Sequence, residues 1–214
     1  MREHDACGIG FVADAHGRPS HRVVAAALEG LAGVKHRGAT AADARSSDGT
    51  GVLLPIPAAI FGEGHGVASL MVRDLDGAQV RARVAAAAAA EGIDIVDWRT
   101  PPVDPSVLGE IAASTRPELL QAVLAPSGEG PVPDAVELER RAYRLRRRVA
   151  PPGAATGIYV SSCSFRTVVY KGLVAADAFG AFFLDLLDDR VEASFTIFHP
   201  VSYTHLTLPT ILRV

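Results

Sequence analysis

The chain contains 214 residues, of which 49% are hydrophobic and 21% are charged. These values are ordinary for a globular protein, and the length suffices for one domain with a sizeable core. The formal net charge of -3 gives no reason to expect a nucleic acid or an anionic membrane as a partner. No apolar stretch approaches the ~18 residues of a membrane span, and the N-terminus lacks the apolar region of a secretory signal. We therefore expect a cytoplasmic protein.

The cysteines and histidines argue against two further classes of protein, those held by disulfides and those with a structural metal site. The chain has only two cysteines, Cys7 and Cys163, which are too few for a disulfide framework. They do not have metal-ligand spacing, and the seven histidines are scattered along the chain. We therefore expect no structural metal site.

The hydrophobic pattern alternates between strand-like and helix-like segments. The apolar run at 7–13 predicts a buried strand, in which two glycines allow a close approach of the backbone. Ser20 is suited to cap a helix over 21–35. The sequence KHRGAT then ends this helix, with Gly38 in the C-cap region.

The later elements follow the same alternation. Strands are predicted at 51–57, 66–72, 93–98, 119–125 and 192–199, and helices at 78–91, near 105–114, at 134–149 and near 175–187. Two β-rich runs at 157–162 and 166–172 are separated by a few small residues, which predicts a β-hairpin with Cys163 as a small packed or turn residue. Layers of both helices and sheets are expected, but periodicity alone leaves their topology open.

The most concentrated charge is the run RRAYRLRRR at 140–148. It lies on a predicted helix downstream of Glu137 and Glu139, so ion pairs on a solvated helix face account for it. Binding of a nucleic acid or of a partner protein is the alternative interpretation.

Cys7 also admits two interpretations. It is either a small apolar residue at the start of a buried strand or a nucleophile. A free thiol with a pKa of ~8.5 is largely protonated at neutral pH, so a nucleophilic cysteine needs an activator. Removal of residues 1–6 would supply one, because the new α-amino group has a reference pKa of about 7.7–8.0 and can accept the thiol proton.

Four blocks of the sequence resemble one enzyme family. They are EHDACGIGFVAD, LAGVKHRGATAADARSSDGTGVLLPIP, DWRTPPVDPSVLGEIAASTRPELLQAVL and YVSSCSFRTVVYKGLV. In order and spacing they are similar to the start of the glutamate synthase large chain, which opens with a class II glutamine amidotransferase domain. The resemblance covers about residues 3–199.

The resemblance implies a fold and a catalytic residue. The fold is the α+β, four-layer αββα sandwich of the N-terminal-nucleophile hydrolases, incomplete here at the C-terminus. Residues 1–6 would be a propeptide, and 7–200 would form most of the amidotransferase domain. Cys7 would be the nucleophile, with its freed amine as the general base, and Arg37 and Gly38 would support the loop beside it.

The same resemblance implies the reaction and its partners. Cys7 would attack the side-chain amide of glutamine to form a γ-glutamyl thioester and release ammonia. In the full enzyme, ammonia passes to a flavin domain for reductive amination of 2-oxoglutarate. That domain carries FMN and an iron–sulfur cluster, fed by an NADPH-oxidising small subunit or by ferredoxin. No cofactor is expected in the present chain, and no nucleic acid or membrane partner.

The sequence also departs from the family pattern. Ser47 and Thr50 stand where smaller residues are common, and Val201 stands where the family has an arginine that clamps the substrate carboxylate. The family's Asn-Gly pair for the oxyanion hole is also missing, so the substrate-binding residues stay unknown. We expect 201–214 to be a non-native tail and this chain to be inactive alone. The alternative is a non-catalytic regulatory or partner-binding module on the same fold.

Overall fold

The computed structural model describes residues 8–38, 41, 43, 45–128 and 131–200. The strands are β1 Gly10–Ala13, β2 Ser46–Pro55, β3 Gly66–Val72, β4 Ile93–Arg99, β5 Glu118–Pro126, β6 Ile158–Ser164, β7 Thr167–Val174 and β8 Phe195–His199. The α-helices are α1 His21–Gly33, α2 Ala58–Phe61, α3 Gly77–Ala89, α4 Glu110–Ser114, α5 Ala135–Val149 and α6 Phe179–Phe182. Within these described residues, no helix has the length and apolar character needed to cross a membrane.

The strands form two four-stranded sheets. Sheet 1 has the order β1-β8-β2-β7, and sheet 2 has the order β4-β5-β3-β6. Every strand pair in both sheets is antiparallel. This mixture of helices and antiparallel sheets confirms the α+β class.

Helix α1 packs on one face of sheet 1 because its apolar positions recur at helical spacing. Val24, Ala27 and Leu31 are fully buried and belong to one hydrophobic cluster with Phe198 of β8. A Cβ added at Gly10 or Gly30 would lie 2.4 Å or 2.8 Å from the Phe198 ring. Glycine is therefore needed at both positions, and for Gly10 the predicted close approach is confirmed.

A second hydrophobic cluster joins sheet 2 to α3 and α5. Val84 of α3 and Leu145 of α5 are buried against Leu70 and Leu124 of the sheet. Both helices begin at an aspartate whose carboxylate accepts backbone N–H groups, Asp76 for α3 and Asp134 for α5. The helices predicted at 78–91 and 134–149 are thus confirmed within a few residues.

A buried polar network connects the two sheets. Arg99 of β4 makes a bidentate contact with Asp185, with N–O distances of 2.7 Å and 2.6 Å. The Tyr170 hydroxyl of β7 donates to the same carboxylate at 2.8 Å, and Arg99 also donates to Gln121 of β5 at 2.8 Å. Burial alone would lower the pKa of Arg99, but the hydrogen-bonded carboxylate of Asp185 more than offsets this and raises it.

The predicted hairpin is wrong. β6 and β7 follow one another in the chain, but β6 pairs with β3 in sheet 2 and β7 pairs with β2 in sheet 1. The short turn between them therefore carries the chain from one sheet to the other. Cys163 lies within β6, opposite Ala68 of β3, and not in a turn.

Two predicted helix ends also differ from the structure. Ser20 precedes α1 in extended conformation and its backbone pairs with Ala193, but its side chain makes no capping hydrogen bond. The helix ends at Gly33, and a separate 3-10 turn follows at Lys35–Arg37. Gly38 ends this turn in extended conformation with φ of -91°, so it does not act as the left-handed C-cap of the helix.

Two predicted helices are interrupted. The segment near 105–114 forms a 3-10 turn, Pro105–Val107, followed by α4. The segment near 175–187 contains only α6 with the flanking 3-10 turns Ala176–Ala178 and Leu184–Leu187. Its apolar side chains pack into the first cluster, where Phe183 lies against the Tyr170 ring at 5.3 Å. Tertiary packing of aromatic rings thus overrides the local helical pattern here.

The first strand is only half-buried. Phe11 is 76% exposed and pairs with Ile197, which is 37% exposed. The apolar run at 7–13 predicts a fully buried strand, but the described face of sheet 1 that carries Phe11 is open. The burial part of that prediction is therefore wrong.

Candidate functional site

The predicted nucleophile, Cys7, lies outside the described residues. Gly8, which is bonded to it, is buried and lies two residues before the start of β1. β1 pairs with β8 through Gly10 and Phe198 in antiparallel register. Continuing this register by two residues places Gly8 opposite Pro200. The N-terminal end of β1 therefore marks where the candidate site lies on sheet 1.

The predicted loop residues lie at the same end of sheet 1. Arg37 ends the 3-10 turn after α1, and its side chain is not among those described. The backbone N–H of Gly38 donates to the Lys35 carbonyl at 3.0 Å. A Cβ at Gly38 would lie 2.9 Å from the carbonyl oxygen of Pro200. Gly38 thus contacts the residue opposite Gly8, while the supporting role of Arg37 and Gly38 stays a prediction.

Replacing Gly38 by alanine should strain this contact. The neighbouring atom is backbone, so β8 or the turn must shift, and we expect a loss of stability of about 1–3 kcal/mol. Gly33→Ala is the matched control, because a Cβ there meets no atom within 4 Å. Alanine at that helical position should be neutral or stabilising by up to about 1 kcal/mol. Chemical denaturation of both variants measures the difference, and equal midpoints would contradict the proposed contact.

A β-bulge in β2 forms the next part of the site. The register of β2 against β7 shifts between Ser46 and Thr50, and Gly49 within it has φ of 119°. The hydroxyls of Ser47 and Thr50 both donate to the carbonyl of Val174, at 2.8 Å and 2.7 Å. The two residues that depart from the family pattern therefore hold the bulge against β7.

A glycine also permits the approach of a histidine at this end of the sheet. Gly51 of β2 is paired with His199 of β8. A Cβ at Gly51 would lie 2.6 Å from Nε2 of His199. The imidazole thus lies over the backbone of β2, one residue before Pro200.

The loop between the 3-10 turn and β2 is held by Asp43, which the sequence analysis missed. Its carboxylate accepts hydrogen bonds from the hydroxyl and the backbone N–H of Ser46, and from the backbone of Arg45 and Ile111. The Ser46 hydroxyl, followed by these backbone donors, holds the pKa of Asp43 well below its usual value. An Asp followed two or three residues later by turn-forming residues is the signal that predicts such a loop.

The same loop contacts the start of α4. The Ser46 hydroxyl accepts the backbone N–H of Ala112 at 3.0 Å. Gly109 fits tightly against this arrangement, since a Cβ there would lie 2.6 Å from the backbone nitrogen of Ser46. Asp43 and Ser46 are therefore both hydrogen-bonded to the start of α4.

The second cysteine has the properties of a structural residue. Cys163 packs against the second hydrophobic cluster. Burial raises the pKa of its thiol to about 12. A thiol with this pKa is protonated at neutral pH, so Cys163 is a poor nucleophile.

The described residues give no support for a metal-binding site. They contain no group of three or more His, Cys, Asp or Glu side chains placed to hold a metal ion. The two cysteines of the whole sequence are also too few for the four thiolates that iron–sulfur clusters commonly use. This chain therefore does not fit an iron–sulfur site.

Comparison with known proteins gives consistent matches along nearly the whole chain. A model of the class-II glutamine amidotransferases matches residues 7–212, beginning at Cys7. The chain is 35% identical to the glutamate synthase [NADPH] large chain of Azospirillum brasilense, over 97% of this chain and 15% of that protein. It is also 35% identical to the ferredoxin-dependent glutamate synthase 2 of Synechocystis, over 93% of this chain and 14% of that protein. The chain thus spans about one seventh of the length of these relatives.

Proposed function

Because this chain belongs to the class-II glutamine amidotransferases, we propose that it carries the glutaminase half-reaction of a glutamate synthase, with Cys7 as nucleophile. The family match, which begins at Cys7, is the observation that carries the proposal. The site geometry supports it, since Gly38 of the predicted loop lies against Pro200, the residue that follows the strand paired with β1. The relatives are named as glutamate synthases of both NADPH and ferredoxin type.

The proposed reaction proceeds in two steps. The α-amino group of Cys7, freed by removal of 1–6, accepts the thiol proton, and the sulfur attacks the side-chain amide carbon of glutamine. The C–N bond breaks and its nitrogen takes up the proton. Ammonia departs, and a γ-glutamyl thioester remains on the sulfur. Water then attacks the thioester, releasing glutamate and restoring the thiol.

The rest of the enzyme is proposed from the relatives, which are much longer than this chain. In a full-length protein, ammonia would pass to a domain that reductively aminates 2-oxoglutarate. FMN and an iron–sulfur cluster would belong to that domain, because this chain has too few cysteines for the cluster. NADPH, through a small subunit, or ferredoxin would supply electrons. We also propose a cytoplasmic location for the full-length protein and the complete four-layer sandwich for its amidotransferase domain.

Processing provides the first test of the mechanism. We expect active full-length enzyme to begin at Cys7, because only cleavage after Ala6 creates the amine that activates the thiol. N-terminal sequencing or intact-mass measurement of the active protein gives the answer. Active enzyme that still carries Met1 or Arg2 would exclude the amine as the base.

The 214-residue chain alone should show no measurable glutamine hydrolysis. Stabilisation of the oxyanion is typically worth about 3–4 kcal/mol of barrier, and we propose that 201–214 does not supply the family's clamp and oxyanion residues. Ammonia release by the purified chain is the measurement. Turnover comparable to that of the full-length enzyme would show that these residues suffice.

A non-catalytic module on the same fold is the second candidate. Cys7 discriminates between the two candidates, because burial keeps the thiol of Cys163 protonated and makes it a poor nucleophile. A purified full-length protein that retains 1–6 and resists thiol-directed glutamine analogues would favour this candidate.

A further inference from the structure

Helix α5 presents an outward face that the proposed glutaminase chemistry does not use. Its inward side chains, including Leu138, Ala142 and Leu145, are buried, and Leu145 packs in the cluster with sheet 2. On the opposite side, Val136 is 59% exposed and Tyr143 is 60% exposed. These two side chains help to line an open groove of about 450 Å³. Exposed aromatic and aliphatic side chains beside a groove are typical of a protein interaction site.

The arginines of α5 fall into two groups. On one side of the helix, Arg144 and Arg148 both donate to the buried carboxylate of Glu91, and Arg141 contacts Glu137 at 3.3 Å. This group confirms the prediction that ion pairs account for part of the charge run, although Glu91 comes from the segment after α3 and not from α5 itself.

Arg140, from the second group, and Arg166, from outside the helix, line the groove with little charge compensation. Arg140 reaches Glu137 only at 3.9 Å and has a 68% exposed side chain. Arg166, from the β6–β7 turn, lines the groove and is exposed, and no ion pair is found for it among the described residues. Arg147 lies one turn beyond Tyr143, with its guanidinium carbon 5.9 Å from that ring.

The acidic residue in the groove, Glu139, forms no ion pair with Arg140 or Arg166 among the described residues, although its carboxylate keeps its charge. One carboxylate oxygen of Glu139 accepts the Ser164 hydroxyl at 2.9 Å and the backbone N–H of Phe165 at 2.8 Å. Glu139 therefore holds the β6–β7 turn in place. The groove thus combines apolar side chains with three arginines and one glutamate, so its lining carries a positive charge while the whole chain has a net charge of -3.

We propose that this groove binds an acidic segment of a separate protein. An aliphatic or aromatic side chain of that segment would lie against Val136 and Tyr143, and flanking carboxylates would pair with Arg140 and Arg166. Arginine suits this role because its guanidinium binds carboxylates in a bidentate manner. A nucleic acid fits less well, since its binding relies on an extended basic surface and the positive lining here is confined to one groove.

The test measures binding of a fluorescein-labelled peptide in which glutamates alternate with leucines, by fluorescence anisotropy with the 214-residue chain. We expect saturable binding that weakens as salt is raised through the physiological range. The double variant Arg140→Glu/Arg166→Glu should lose roughly tenfold in affinity, because both contacts become repulsive. Tyr143→Ser should weaken binding several-fold without changing its salt dependence.

Matched controls separate this groove from general charge attraction. Arg83→Glu reverses an exposed arginine on α3, and it should leave the affinity unchanged. A peptide with serine in place of leucine should bind more weakly than the leucine peptide. The proposal is overturned if the double variant binds like the wild-type chain, if Arg83→Glu has the same effect, or if a single-stranded oligonucleotide binds as tightly as the peptide. All of these measurements are independent of Cys7.

Discussion

Glutamine-dependent glutamate synthesis by the full-length protein should be lost when Cys7 is replaced by serine. Removing the nucleophile of a covalent mechanism lowers kcat by a factor on the order of 10⁴–10⁶. Synthesis from added ammonia should persist in the same variant, because the proposed reductive amination does not pass through the thioester. The measurement is the rate of glutamate formation with glutamine and, separately, with an ammonium salt.

The second cysteine provides the control for this experiment. Cys163→Ser should keep the glutamine-dependent rate within a few-fold of wild type, since the Cys163 thiol is buried and its raised pKa keeps it protonated. A glutamine-like diazoketone should label the wild-type and Cys163→Ser proteins but not the Cys7→Ser protein. Equal loss of the glutamine and ammonia activities in the Cys7→Ser variant would indicate a structural role for Cys7.

Replacing Asp185 by alanine should destabilise the protein by about 3 kcal/mol. The substitution leaves the guanidinium of Arg99, whose side chain is 20% exposed, without its charged partner. Breaking a buried ion pair in this way typically costs about 3–5 kcal/mol, and the residual exposure of Arg99 places the effect at the lower end. The Tyr170 hydroxyl also loses its acceptor. Urea denaturation of the purified chain measures the change.

An exposed ion pair is the control for the Asp185 experiment. Lys35 and Asp177 contact each other at 2.9 Å, with side chains that are 62% and 49% exposed. Asp177→Ala should therefore cost less than about 1 kcal/mol. The double variant Arg99→Met/Asp185→Leu should recover much of the lost stability, because it removes both buried charges. A destabilisation by Asp185→Ala no larger than that of Asp177→Ala would contradict the role of this network.

The sequence predicts well those elements whose pattern is local. α1 and α5 have apolar positions at helical spacing, and α5 also begins at a capping aspartate. The β6–β7 hairpin is wrong for a physical reason. Two short β-rich runs with a tight turn look the same in sequence whether they pair with each other or with distant strands. Only the partners β3 and β2, about a hundred residues upstream, decide between these arrangements.

The candidate site was predictable where the sequence has a motif and not elsewhere. Gly38 lies beside Pro200, and its support of the loop beside Cys7 stays a prediction. The contact between Asp43 and Ile111 joins residues far apart in the chain, and no periodicity reveals it. In the sequence, Ser47 and Thr50 look only like a departure from the family pattern. In the structure, their hydroxyls donate to the same carbonyl, that of Val174, across the bulge.

The two sheets differ in how much of the chain must exist before they can form. All strands of sheet 2 come from the continuous segment 66–164, so this sheet can assemble while later residues are still being synthesised. Sheet 1 joins β1 to β8, which are the first and last strands described, and it must wait until residue 199 has left the ribosome. The strand that follows Cys7 therefore reaches its partner only after every other described strand has been made. In the proposed mechanism, removal of 1–6 that depends on this pairing would follow the building of the domain core, so the N-terminal thiol would form only in a folded domain.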